Sequence, residues 1–460
     1  MTPGRASEAQ LRVVIIGNGI AGITAARQIR KLSDHSITVI SSESKYFFSR
    51  TALMYVYMGH MRQKDIEPYE PWFWEKNRID LIQDHVVQIQ FVKKRLILAS
   101  GQEIGYDKLI IACGSDSNTL NIPGIDAIGV KGLYSLQDLQ SIDAMSPVIK
   151  RAVVIGGGLI GIELAEMFCS RKIPVTFLIR ESAFWNIVLP KEEAEMINHH
   201  ILEHQIDLKL NTELLEIKKN NEGHIRSVIT IDGEEIACDF AGLTIGVHPN
   251  IDWLKDSSLE INDGILVDEY LRTNMDDVFA IGDCAELRQP PPGRKPIEAI
   301  WYTGRMMGEA VGYSICDKLS LYQPGTFYNS AKFFDIEYQV YGDIQTQLPS
   351  NQKTVFWQSP DKKKSIRINY TTDGIVLGFN LMGVRFRQEV CEKWITQKYS
   401  IEEVLQSLEL AEFDPEFSVH YAPFVREQYQ ISTGRTIHSK LIHGYNQVHQ
   451  FLNSPKILAS

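Results

Sequence analysis

The sequence predicts an α/β fold in which two similar parallel-sheet units precede a third unit of mixed α+β character. Three observations carry that reading. The first is a repeat: "VVIIGNGIAGITAA" at Val13–Ala26 returns in altered form as "VVIGGGLIGIELAE" at Val153–Glu166. The second is that each copy is followed by a matching apolar run ending in an acid, "ITVISSES" at Ile37–Ser44 and "VTFLIRES" at Val175–Ser182. The third is a change of pattern near Phe327, where short β-rich runs separated by turns such as "TTDG" replace the earlier spacing.

Each repeat has the parts of a strand–turn–helix that grips a phosphate. "LRVVIIG" and "RAVVIGG" are apolar throughout after a basic residue, as central parallel strands covered on both faces must be. Gly17, Gly19 and Gly22, and later Gly156, Gly158 and Gly161, occupy the positions of G-x-G-x-x-G. The first glycine permits the tight turn, the second lets a pyrophosphate approach the backbone, and the third packs helix against strand. The helix start then offers oriented N–H groups to the phosphates. A lone motif of this kind is weak. Here each copy follows a strand, opens a helix and has an acid, Glu43 or Glu181, 21 or 20 residues after its last glycine. Two grips imply two dinucleotides.

Bulk properties narrow the function. The 460 residues suffice for two or three domains, and a formal charge of −10 argues against nucleic acid or an anionic membrane as the main partner. No apolar run reaches the roughly 18 residues of a membrane span, and the opening "MTPGRASEAQ" does not read as a secretory signal. The six cysteines are scattered without a C-x-x-C, which suits a reducing cytoplasmic location and no zinc site. His60, His85 and His248 stand singly, and no metal-ligand motif is present.

Further motifs follow in order. "YDKLIIACGS" (Tyr106–Ser115) is a strand ending in a small-residue turn, "LNIPG" follows it, and "FAGLTIGVHPN" (Phe240–Asn250) repeats the strand-to-glycine stop. "TNMDDVFAIGDCAE" (Thr273–Glu286) places Asp283 directly after a strand and a glycine, where its carboxylate can accept a hydrogen bond from a ribityl hydroxyl.

The ordered set GNGIAG, LIIACGS, GGGLIG and VFAIGD resembles the two-dinucleotide flavoprotein family, which includes the pyridine nucleotide–disulfide reductases and the ferredoxin and rubredoxin reductases. The resemblance covers about residues 11–325 through specific motifs. It implies two Rossmann-like domains with an NAD domain inserted in an FAD domain. The expected boundaries are 1–120 and 245–325 for the FAD domain, 121–244 for the NAD(P)H domain and 326–460 for an α+β C-terminal domain. It implies FAD contacts at Gly17, Gly19, Ile20, Ala21, Gly22, Glu43, Arg50, Cys113, Gly114, Asp283, Ile300 and Trp301. It places NAD(P)H at Gly156, Gly158, Leu159, Ile160, Gly161, Glu163, Arg180, Glu181 and Gly246.

The same resemblance shows what is missing. Disulfide reductases of this family carry C-x-x-x-x-C after the first βαβ unit, but "SKYFFSRTALMYVYMGHM" (Ser44–Met61) has no cysteine. It is closer to the Y-x-R-P-P-L-S-K segment of ferredoxin and rubredoxin reductases. Arg50 and Leu53 match, Thr51 and Ala52 replace the prolines, and Tyr55 replaces the lysine. In the family that lysine pairs with the glutamate that places the nicotinamide, here Glu163. Without a cysteine pair, electrons must leave FAD directly. The implied activity is an FAD-dependent NAD(P)H reductase serving a small iron–sulfur or rubredoxin-like acceptor. Alternatives are an NAD(P)H dehydrogenase or oxidase using quinone, oxygen or a nitrite-reductase partner, or a redox-gated binding protein resembling apoptosis-inducing factor. At the end of the second strand, Glu181 favours NADH while Arg180 could attract a 2′-phosphate.

Downstream, "RQPPPGRKP" (Arg288–Pro296) is a loop leading into a helix from Ile297, with Gly304, Gly308 and Gly312 on one face. Those glycines predict a close helix approach, since each costs about 1 kcal/mol relative to alanine. The third unit is expected to have strands at "KFFDIEYQVYG", "TVFWQ", "SIRINY" and "GIVLGFNLMG", and helices at "RQEVCEKWITQK" and "IEEVLQSL". Lys362–Lys364 reads as a hairpin tip. The tail "LIHGYNQVHQFL" has helical spacing at Leu441, Tyr445, Val448 and Leu452. It is expected to dock on the body, ahead of a second subunit in a homodimer or a membrane surface.

Overall fold

A computed structural model describes residues 10–413, 419–440 and 446–454. The apolar run Arg12–Ile16 forms a strand whose last four residues are buried, as a mid-sheet position with both faces covered requires. It pairs in parallel with Ser36–Ser41 on one side and Lys108–Ile111 on the other, while Ile79–Gln83 and Val278–Ala280 form the edges. The chain therefore leaves this sheet after Lys108–Ile111 and returns to it at Val278–Ala280.

Between those points lies a second five-stranded parallel sheet, in the order Asp207–Leu210, Val175–Ile179, Ala152–Ile155, Phe240–Leu243 and Val130–Lys131. The repeat seen in sequence is a repeat in register. Val13 lies opposite Ile37 and Lys108, and Val153 lies opposite Thr176 and Ala241. Both grips thus follow a central strand flanked by two parallel neighbours.

The helix Ile20–Leu32 packs along Trp301–Ile315. A side chain at Gly308 would put its Cβ 2.5 Å from the Ala21 carbonyl oxygen, and one at Gly312 would lie 2.6 Å from Gln28 Cβ. The glycine face is there for backbone approach. The helix starts at Trp301 rather than Ile297, because Ile300 is extended (φ −132°) and Arg294 holds the Glu298 carboxylate at 2.5 Å in the preceding loop.

The third unit is a five-stranded antiparallel sheet in the order Tyr328–Phe333, Ile336–Gly342, Val376–Met382, Ser365–Thr371 and Gln352–Gln358. The run "KFFDIEYQVYG", read as one strand, is a hairpin. Phe334 turns the chain at φ 56°, and Phe333 then pairs with Ile336. Helices Gln388–Thr396 and Ile401–Gln406 follow as expected. Lys362–Lys364 does lie in the turn joining two strands, and Lys363 there pairs with Glu203 at 3.4 Å. The tail helix Asn446–Asn453 docks on the body, with Phe451 against Trp394 (ring centroids 5.9 Å apart) and Lys393 bonded to its last carbonyls. Leu441 and Tyr445 lie outside the described residues. Among the described residues no helix is long and apolar enough to cross a membrane.

One helix ties the second sheet to the third. Lys191–Glu203 carries Glu193, fully buried, whose carboxylate accepts from Arg367 (2.7 and 2.9 Å) and Asn380 (3.1 Å) of the antiparallel sheet. The two units also share an apolar core. Phe333, Phe334, Ile336 and Tyr338 of the hairpin pack with Phe184 and Leu189, and with Leu53, Met54 and Tyr57 from the Ser44–Met61 segment.

Candidate dinucleotide sites

At the first grip, Gly17 turns the chain at φ +105°, and its N–H bonds the Ile40 carbonyl at 2.8 Å. A Cβ there would sit 2.0 Å from the Ala112 carbonyl oxygen, and a Cβ on Gly22 would sit 2.1 Å from the Gly17 carbonyl oxygen. These two glycines are demanded by the fold itself. Gly19 is different: it caps the helix with extended backbone (φ −67°, ψ −177°), and a Cβ there would meet nothing within 4 Å. Space is left where helix N–H groups point outward, which fits a pyrophosphate.

The second grip repeats this geometry. Gly156 has φ +115° and would bring a Cβ 2.4 Å from the Thr244 carbonyl oxygen; for Gly161 the distance to the Gly156 oxygen would be 2.2 Å. Gly158 caps its helix (φ −110°, ψ −174°) with nothing within 4 Å of an added Cβ. Leu159 and Ile160 open that helix half-buried. Thr244 Oγ donates to the Ile155 carbonyl at 2.8 Å, locking the adjacent strand end. Gly246, at φ +94°, lies beside Asn118, whose Oδ1 is 2.8 Å from His248 Nδ1.

Asp283 follows Gly282 (φ +74°), which faces Ala21 at the start of the first helix; Gly304 faces both Ile20 and Ala21. Burial pushes the Asp283 carboxyl above its ordinary pKa, against a hydrogen bond from Ser115 Oγ (3.0 Å) and the Arg50 charge, which pull it down. From Asp283 a connected set runs back across the site. The Ser115 N–H donates to Tyr134 Oη at 3.1 Å, and Gly114 lies against that hydroxyl. Arg50 covers the Tyr134 ring at 4.4 Å and donates to its carbonyl at 2.5 Å. The Arg50 guanidinium also grips both Glu43 oxygens, at 3.0 and 2.5 Å. Glu43, just beyond the second strand, accepts a further bond from the Leu136 N–H (2.8 Å), so it also caps the helix Leu136–Met145. Cys113 Sγ donates to the Asn250 carbonyl at 3.1 Å, and Trp301 is half-buried against Tyr302.

Sequence reasoning missed Ser115 as a hydrogen-bonding residue, along with Tyr134 and Leu136. The signal available for the last two was the helix start "SLQD", in which Ser135 and Asp138 form a capping box.

In the second site, Arg180 pairs with Glu181 at 2.8 Å and is the more exposed partner, 70% against 26%. Glu163 is pushed up to about 7 by burial and then by the nearby Glu166 charge. The cation expected from the family pattern is absent at Tyr55, but one arrives from elsewhere. Lys332, on the first strand of the antiparallel sheet, bonds Glu166 at 2.8 Å and sits 5.5 Å from the Tyr55 ring centroid. No local sequence signal could have found this, since Lys332 and Tyr55 are far apart in the chain.

The sequence carries no metal-binding motif, yet the fold brings His200, His204 and Asp335 together. The signal for two of them was the spacing of four residues at the end of a helix.

Two parallel sheets, each ending in a glycine turn with open space above a helix start, define a protein built to hold two dinucleotides. Residues 11–308 match the pyridine nucleotide-disulphide oxidoreductase family, and the chain belongs to it. It is 28% identical over 389 residues to the NADH-rubredoxin oxidoreductase of Clostridium acetobutylicum, covering 82% of this chain and 94% of that one. It is 28% identical over 281 residues to the assimilatory nitrate reductase electron transfer subunit of Bacillus subtilis, covering 60% of this chain but only 36% of that longer protein. In fold it is similar to a NAD-dependent persulfide reductase from A. fulgidus, with a TM-score of 0.81, 24% identity, and coverage of 92% and 84% of the two chains.

Proposed function

We propose that this chain is an FAD-dependent NAD(P)H oxidoreductase that passes electrons to a small rubredoxin-like or other iron–sulfur protein, with NADH as the preferred reductant. The observation that carries the reading is the duplicated glycine cradle next to a Ser44–Met61 segment without cysteine. Bound FAD would supply the redox chemistry, taking hydride from the nicotinamide and releasing electrons to the acceptor.

The first cradle, with Gly17, Gly19, Gly22 and Asp283, would hold FAD, and Arg50, Tyr134 and Ser115 would shape the wall beside it. The second cradle would hold NADH. Glu181 would accept from the ribose 2′-hydroxyl, and its charge disfavours a 2′-phosphate. Glu163 would position the nicotinamide end, beside the Glu166–Lys332 pair. The sheet that opens at Arg12 and closes at Val278–Ala280 supports an FAD domain interrupted by the NAD domain. The likeness to the Clostridium NADH-rubredoxin oxidoreductase over 94% of that protein supports the acceptor class. The scattered cysteines support a reducing, cytoplasmic setting.

The test is anaerobic turnover of the FAD-loaded protein with NADH and NADPH against rubredoxin, ferredoxin, quinone and oxygen. The expected result is fastest reduction of an iron–sulfur protein, with at least about ten-fold higher kcat/KM for NADH, equivalent to about 1.4 kcal/mol. Quinone or oxygen turning over as fast as every protein acceptor overturns the reading in favour of a dehydrogenase or oxidase.

A further inference from the structure

We propose that His200, His204 and Asp335 form a binding site for a divalent transition-metal ion of the Zn²⁺ type, clamping the helix of the second sheet unit to the hairpin of the third. The helix Lys191–Glu203 and its capping residue His204 present two imidazoles one turn apart, and the Phe334 turn delivers Asp335 opposite them. Three potential ligand atoms converge. His204 Nε2 is 3.3 Å from His200 Nε2 and 3.5 Å from Asp335 Oδ1, and His200 Nε2 is 2.6 Å from the same oxygen. Tetrahedral zinc with bonds of about 2.0–2.1 Å sets neighbouring ligand atoms about 3.3–3.4 Å apart. The 3.3 Å separation already has that value, and the 3.5 Å one is close to it. The third would open by roughly 0.7 Å on the same standard, and the Asp335 side chain, 65% exposed, is at liberty to swing.

The surroundings are those of a supported ligand set. His200 is 2% exposed, and its other nitrogen, Nδ1, lies 3.3 Å from Glu203 Oε2. A metal-binding imidazole commonly gives its second N–H to a carboxylate in this way, which fixes ring and tautomer. Glu203 is held in turn by Lys363 at 3.4 Å and by His199 at 3.5 Å. The His204 ring is stacked on Phe334, with centroids 4.0 Å apart and planes 13° apart, so its orientation is set by packing. Two imidazoles and a carboxylate suit Zn²⁺, Co²⁺ or Ni²⁺ rather than Mg²⁺ or Ca²⁺. Water would complete the coordination on the exposed side.

The site lies at the opposite end of the helix from the buried Glu193–Arg367 pair, so a bound ion would fasten this helix to the antiparallel sheet at both ends. That joint carries Lys332, which reaches Glu166 beside the second grip.

The experiment uses the full chain with FAD bound, stripped with chelator and dialysed. Zn²⁺ is titrated calorimetrically and Co²⁺ by visible absorption, with melting temperature followed alongside. One ion per chain should bind with micromolar or tighter affinity. Co²⁺ should show no thiolate charge-transfer band, which separates this site from the cysteines. His204→Ala and Asp335→Asn, both at exposed positions and so tolerable to the fold, should each weaken binding at least about ten-fold and remove the metal-dependent rise in melting temperature. Glu203→Gln should weaken it less. Absence of stoichiometric binding to the unmodified chain, or unchanged affinity in both exposed variants, overturns the proposal.

Discussion

The same mutation at two positions of the second grip should produce opposite phenotypes. Gly158 has φ −110° and ψ −174°, a conformation alanine adopts freely, and an added Cβ would meet no protein atom within 4 Å. Gly158→Ala should therefore leave the melting temperature of the FAD-loaded protein within about 1 °C, since a surface change of this kind costs no more than about 0.5 kcal/mol. The new methyl would occupy the space assigned to the NADH pyrophosphate. Overpacking by one methyl costs about 1–3 kcal/mol, so KM for NADH should rise about 5- to 150-fold. Gly161→Ala places its Cβ 2.2 Å from the Gly156 oxygen, 2.9 Å from Thr244 Oγ and 3.0 Å from Phe177 Cζ. Backbone cannot yield as a side chain can, so the helix must move off the strand. This variant should melt several degrees lower and be poorly recovered. Thermal melts and steady-state NADH kinetics on both proteins decide the matter. A destabilised Gly158→Ala, or a fully stable Gly161→Ala altered only in KM, refutes the assignment of roles.

Three further outcomes are expected. Asp283→Ala should lose FAD on gel filtration, with affinity reduced by about 1.5–3 kcal/mol for a hydrogen bond to a charged group; full flavin occupancy at unchanged affinity would remove Asp283 from the site. Glu163 has its folded pKa raised from 4.5 to about 7, so between those values the folded state holds more proton than the unfolded one and stability falls as pH rises. Glu163→Gln should flatten that decline, gaining on the order of 1–2 kcal/mol over the parent at pH 8, after allowance for partial water exposure, and nothing at pH 4.5, as read from denaturant melts. Arg367→Met should destabilise by about 3–5 kcal/mol because it leaves the Glu193 carboxylate buried without its cation; pairing it with Glu193→Leu should recover much of that loss in a double-mutant cycle.

The sequence by itself determined the two strand–glycine turn–helix units and the second strand beside each, because these are settled within about thirty residues. The pairing of Lys108–Ile111 and Phe240–Leu243 with the two central strands was decided by the tertiary structure. Apolar runs of the right length make buried strands, and only glycine can occupy positions such as Gly17 and Gly156, where φ is positive and the next strand's carbonyl is close. That the glycine face of Trp301–Ile315 meets a close neighbour was also legible, though its partner, the first helix, was shown only by the structure. A row of glycines weakens a helix unless backbone contact offsets it. The split of Lys332–Gly342 into a hairpin was not legible, because Phe334 adopts a backbone conformation that its residue type disfavours and only the surrounding core imposes. The site wall and the joint between units were also beyond reach of the sequence. Arg50 meets Tyr134, Lys332 meets Glu166, and Asp335 meets His200 across separations of 84 to 166 residues. Charged and hydrogen-bonding side chains carry no periodicity that names their partner. Their pairing is decided when apolar burial brings sheets and helices together, and only the tertiary structure holds that information.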